Sequence, residues 1–309
     1  MTLAVESCDL TGFATLVHRA SEDFKTARTY LSRHTSIEFA IAATAWDLAY
    51  GDHAQQVRAA EDVLTRFETI LDASHRELDK TAGWYESVDL KEAQKLDATY
   101  PAPRKGPVPR QRPSGSTTFK DVCDALEHLK PAGGADGWFA SHRHEFDFAP
   151  VNKTVGTLFD LGSPSALVNE GLKLAFDVDV LGTVSNWLAG DWQNYVACAD
   201  AWDCLGNFCD AAAKNIRHGN EVLGLTWRGN AADAAWKYFE RMANTLESAG
   251  DTFHALREHY TGIAKIVFSF ADLAKGIVAS ICDRAAEAAI AAAASPAIAT
   301  TGVGVLGSL

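Results

Sequence analysis

The chain has 309 residues, 47% of them hydrophobic, and a formal net charge of −12 at neutral pH. That apolar share can bury a substantial core in one large or two ordinary domains, and it excludes a chain disordered throughout. The acidic balance argues against general nucleic-acid binding, which needs Lys and Arg in excess on one face, and six irregularly spaced cysteines are no disulfide framework.

The opening stretch MTLAVESCDLTGF has neither a basic n-region nor an apolar run, so a Sec-type leader is not expected. Apolar or small residues then recur at Leu10, Phe13, Val17, Ala20, Phe24, Ala27 and Leu31, in alternating steps of three and four. This heptad seam predicts a long helix. The same spacing resumes at Val57, Ala60, Leu64, Phe67 and Leu71 and continues to Leu78, so two helices joined near Gly51 form a first hairpin over residues 1–100.

Residues 101–162 read as a proline-rich linker and irregular insert. PAPRKGPVPRQRPSGS carries five prolines and four basic residues, no helix can run through it, and a polyproline-like connection is expected in preference to a basic docking segment. FKDVCDALEHL predicts a short helix, and the stretch containing Trp138 reads as an ordered loop.

A second hairpin is expected over residues 163–287. Ser163 followed by Pro164 resembles a helix cap with proline at the first helical position. A seam then runs through Tyr195, Ala199, Trp202, Gly206, Cys209, Ala213 and Ile216, and a cleaner one through Ala235, Phe239, Met242, Leu246, Ala249, Phe253, Leu256, Tyr260, Ile263, Val267 and Phe270. Between them lies TWRGNAADAA. Gly224 and Gly229 bracket this turn, Asn230 is placed to cap the following helix, Asp233 is favoured there by the helix dipole, and Trp227 fills the wedge between the diverging helices. Strand signals are scarce. The expected fold is all-α, with long antiparallel helical hairpins packed as an elongated four-helix bundle, because each hairpin leaves an apolar stripe that its own two helices cannot cover.

With heptad-patterned arms on both sides, Trp227, Arg228 and Gly229 resemble the signature turn of the WXG superfamily, small helical hairpins exported by type VII (ESX) secretion. The resemblance covers about residues 180–270. It implies a second element, Y-x-x-x-D/E after a hairpin's second helix, acting with the partner's W-x-G as a composite export signal. Tyr260 lacks the acid, since position 264 is alanine, whereas Tyr85 and Asp89 at the end of the first hairpin have the spacing. On one helix, these positions would share a face. The first hairpin departs from the pattern at its turn, where four residues separate Trp46 from Gly51. The chain thus resembles a fused pair, one half supplying Tyr85 and Asp89 and the other Trp227 and Gly229.

The resemblance implies a non-enzymatic secretion substrate, or the targeting region of a larger secreted effector, made in a bacterial cytoplasm and exported or displayed without a signal peptide. A secretion ATPase is the implied partner, with a small helical chaperone or a second copy of the chain as further candidates. No nucleic acid, cofactor or metal is expected. His142, His144, Glu145 and Asp147 lie close in sequence, yet they read as a polar loop edge because zinc needs further ligands at definite spacing. Phosphate-loop, H-E-x-x-H and G-x-S-x-G motifs are absent. Cys198, Cys204 and Cys209 read as buried free thiols, and Trp187, Trp192, Trp202 and Trp236 as packing rather than a ligand cage. The uncharged tail over residues 288–309 is long enough to reach across a bilayer, but Pro296 and its alanine-rich composition favour packing or disorder. Membrane contact through that tail, or a role as helical adaptor or scaffold, are the alternative functions.

Overall fold

The computed structural model describes residues 3–36, 47–99, 110–113, 115–131 and 192–264. Expectations for Trp46, the His142–Asp147 group, Ser163, Pro164, Trp187, Val267, Phe270 and the tail 288–309 lie outside them. The chain divides into two compact units, the first made of residues 1–36, 50–133 and 197–260 and the second of residues 37–49, 134–196 and 261–309. Most of each hairpin's described arms lies in the first unit.

The fold is all-α. Helix α1 spans Ser7–His34, α2 Asp47–Ser87, α3 Leu90–Asp97 and α4 Trp192–Thr226, and α5 covers residues 230–264. Among the described residues there is no strand beyond one isolated antiparallel bridge, Ala4 to Arg228. Helix α2 is 41 residues long, roughly 60 Å at the α-helical rise. It already includes Gly51, so the joint of the first hairpin precedes the expected position. The helix runs through that glycine because Gly in a helix interior costs only about 1 kcal/mol.

The seams point inward. On α1, Leu10, Phe13, Val17, Ala20, Phe24, Ala27 and Leu31 are all buried, joined by Ala14, Leu16 and Tyr30, which widen the stripe to face more than one neighbour. Phe24 touches Phe67 of α2 (ring centroids 5.3 Å apart) and stands edge-on to Phe208 of α4 at 4.9 Å. Phe13 meets Phe239 of α5 edge-on at 4.7 Å. Such aromatic pairs add about 0.5–1.5 kcal/mol beyond their burial.

Contacts along each helix pair fix direction. Between α1 and α2, His18 stacks on His75 and Arg28 pairs with Glu68; residue numbers rise on one helix as they fall on the other, so the two are antiparallel. Between α4 and α5, Trp202 stacks on Phe253 at 5.8 Å while Arg217 binds Glu247 through two hydrogen bonds, again antiparallel. Helix α2 reaches α5 through His53 to Tyr260 and Ser74 to Tyr238. His53 is buried: Nε2 lies 2.9 Å from the Thr35 carbonyl and Nδ1 2.5 Å from the Tyr260 hydroxyl, and burial holds its pKa below the usual histidine value. Trp202 is fully buried and packs against Phe253 and Tyr260.

Residues 115–131 depart from expectation. The predicted helix over FKDVCDALEHL is reduced to one 3₁₀ turn, Leu126–His128. The cause is Asn215 of α4, whose side-chain oxygen accepts from the Val122 and Cys123 amides and whose nitrogen donates to the Cys123 carbonyl. These peptide groups bond to a side chain on another helix instead of to a helical turn of their own. The segment is further held by Arg19, which pairs with Asp121 at 3.0 Å and donates to the Phe119 carbonyl, and by Phe119 against Phe13.

Candidate functional site

Four parts of the first unit meet at the W-x-G corner. Helix α4 ends at Thr226, and α5 starts at residue 230. Trp227 is 5% exposed, and its amide donates to Leu223, closing the last turn of α4. Gly229 has φ +136°, a conformation that L side chains rarely adopt, and a Cβ there would lie 2.9 Å from both carboxylate oxygens of Asp97. Gly224 lies inside α4 and serves close approach rather than turning, since a Cβ there would meet the Trp236 ring at 2.8 Å.

The cap of α5 comes from elsewhere in the chain. Asp97, the last residue of α3, accepts from the Asn230 amide at 3.0 Å and from the Ala231 amide at 2.8 Å. Asn230, expected to cap the helix, instead uses its side-chain nitrogen to donate to the Asp97 carbonyl at 3.2 Å. A charged carboxylate satisfies two of the orphan amides at once and stands at the positive end of the helix dipole, which is why it displaces the local cap. Asp97 is only 7% exposed.

The N-terminal stretch and the proline-rich segment close the corner. Ala4 and Arg228 exchange both backbone hydrogen bonds, at 3.1 and 2.7 Å. Arg110 donates to the Trp227 carbonyl and, at 3.4 Å, to the Gly224 carbonyl; it pairs with Asp233 and stands 5.8 Å above the Trp236 ring. One guanidinium thus caps the end of α4 and neutralises the first turn of α5. The described end of this proline-rich segment is therefore docked, contrary to the reading of the whole stretch as a solvated connection. Planar geometry and weak hydration suit arginine to such a semi-buried position.

The sequence-predicted residues are brought together in part. Tyr85, in the last turn of α2, faces Trp227: the indole Nε1–H donates to its hydroxyl at 3.4 Å, and the rings stand edge to face with centroids 6.3 Å apart. Asp89 does not share a helical face with Tyr85. Helix α2 stops at Ser87, and Asp89 is the N-cap of α3, accepting from the Lys91 amide at 2.9 Å. The signal for this break stands in the sequence as Asp89 followed three residues later by Glu92, a capping-box spacing. Asp97 and Arg110 carry no such local mark.

A cleft of about 350 Å³ lies beside the corner, lined by Trp84, Tyr85, Leu96, Asp97 and Ala231 among others. A second of about 410 Å³, between α2 and α5, shares Thr81 and Ala231 with it and adds Trp227, Ala235 and Tyr238. Both are open to solvent and mostly apolar. Among the described residues, no group of three or more His, Cys, Asp or Glu is arranged to hold a metal, and no helix is long and apolar enough to cross a membrane. Cys198 and Cys209 are buried and Cys204 half-buried, all three as free thiols; burial pushes Cys198 up to about 12 and raises the other two, which keeps them protonated and poorly nucleophilic at neutral pH.

Comparison with protein-family models, curated proteins and solved structures finds no match.

Proposed function

We propose that this chain is a non-enzymatic substrate of a type VII (ESX-like) secretion system, or the export-targeting region of a larger one. In this reading, two WXG-type hairpins fused in one chain pack as an elongated four-helix bundle. They present one composite patch to a secretion ATPase, and the protein leaves the cytoplasm without a signal peptide. The observation that carries the reading is the contact of Tyr85 with Trp227. Tyr85 belongs to one hairpin and Trp227 to the other, and their side chains meet. A composite signal shared between two hairpins requires that proximity.

The test is export from a host with an active type VII system, measured for Tyr85→Ala and Asp89→Asn singly and together. Asparagine caps a helix about as well as aspartate, so Asp89→Asn removes charge while keeping α3. Secretion should be abolished in the double variant, with far-UV circular dichroism unchanged. Native-level secretion of that folded variant would defeat the proposal and leave a helical adaptor or scaffold as the better reading.

A further inference from the structure

The acid nearest to Tyr85 by motif is not the acid that engages the W-x-G turn. Asp89 is exposed and spends its carboxylate on α3. Asp97 is buried, holds the first two amides of α5, and fills the space that a side chain at position 229 would need. The glycine of W-x-G is therefore the notch into which this carboxylate fits. Helix α3 is anchored at both ends: only Val88 and Asp89 separate it from α2, and Asp97 fixes its far end to the turn. Tyr85 lies two residues before the end of α2, inside this clamp. Ala93, Leu96 and Asp97 of α3 line the same cleft as Trp84 and Tyr85.

We propose that Asp97 is the positioning residue of the composite patch: by capping α5 through the Gly229 notch, it fastens α3 to the W-x-G turn and holds Tyr85 against Trp227. Its bearing on export rests on the function proposed above; its bearing on the Tyr85–Trp227 contact does not. A carboxylate is needed because each oxygen takes a separate amide. Asparagine offers one acceptor and turns an N–H₂ toward the other amide, so it should act as a partial loss.

The experiment uses the full chain, isotope-labelled, with the Trp227 indole N–H resonance assigned by Trp227→Phe and its response to losing the tyrosine hydroxyl calibrated by Tyr85→Phe. In Asp97→Ala, amide exchange at Asn230 and Ala231 should accelerate at least ten-fold, and the Trp227 indole resonance should move toward its position in Tyr85→Phe. Asp97→Asn should move both in the same direction by less, which keeps the test available should Asp97→Ala fail to fold. Asp89→Asn should leave both at native values. An unmoved Trp227 resonance in a folded Asp97 variant overturns the proposal, whether or not the Asn230 and Ala231 amides exchange faster. A moved resonance with native-level export upholds Asp97 as the residue positioning Tyr85 and counts against the export reading instead.

Discussion

Replacing Arg110 with methionine removes a guanidinium whose side chain is 14% exposed and strands the carboxylate of Asp233, which is 2% exposed. Among the described residues, Asp233 Oδ2 has no hydrogen-bond partner even with Arg110 in place, and Arg110 is the cation that pairs with this carboxylate. Breaking a buried pair from one side costs about 3–5 kcal/mol, and the dipole of α5 returns about 0.5–1 kcal/mol of this to an acid in its first turn. The expected loss is about 3 kcal/mol. Substituting both partners, Arg110→Met with Asp233→Leu, should recover most of it, because an intact buried ion pair is worth little against an apolar pair of similar volume. Equilibrium urea unfolding followed by circular dichroism measures each corner of the cycle, and an unchanged m-value would show that the transition itself is the same. The coupling should reach about 2 kcal/mol or more. A cost below about 1 kcal/mol for Arg110→Met, or a double variant as unstable as the two single losses added together, would refute the view that this residue clamps the corner.

Gly229→Ala should destabilise by about 2–4 kcal/mol, combining backbone strain at φ +136° with partial loss of the Asp97 cap, and a urea-midpoint shift worth under about 1 kcal/mol would contradict the notch. The Asp23 carboxyl is raised from 3.8 to about 6 by burial and then by the like charges of Asp121 and Asp124. The folded chain therefore binds this proton more tightly than the unfolded one, and the resulting stability is full below about pH 4 and lost as pH rises through about 6. Asp23→Asn should remove that slope, adding about 1 kcal/mol at pH 7 after discounting for partial exposure and almost nothing near pH 3.5, as read by thermal melts across the range.

The heptad seams of α1 and α5 were legible because a helix that buries one stripe must repeat its apolar residues with the helical period, and Phe13, Phe24, Phe239, Phe253 and Tyr260 all turn inward. The approximate site of the corner was legible for the same reason, as an interruption between two seams. What held the corner together was not. Asp97 and Arg110 are single polar residues acting on partners more than 100 positions away, and no periodicity marks such a contact. Asn215 shows the converse: one polar residue facing the docked segment suppressed a helix that local composition favoured. Tyr85 and Asp89 differ in the same way: the tyrosine lies in the last turn of α2 and contacts Trp227, whereas the aspartate follows the end of that helix and caps the next one.

The two-residue bridge between Ala4 and Arg228 has a consequence for how the protein is made. Leu3 is 4% exposed and would press on any side chain at position 229, so residues 3 and 4 are components of a corner encoded more than two hundred residues later. At about 5–20 residues per second, a ribosome needs about 10–45 s to deliver the partner strand. Once made, α1 and α2 wait for α4 and α5 to cover their inner faces, and Ala4 waits for Arg228. Closure at this corner is therefore a late, long-range event in folding, and the nascent first half passes through an aggregation-exposed stage before α4 and α5 emerge.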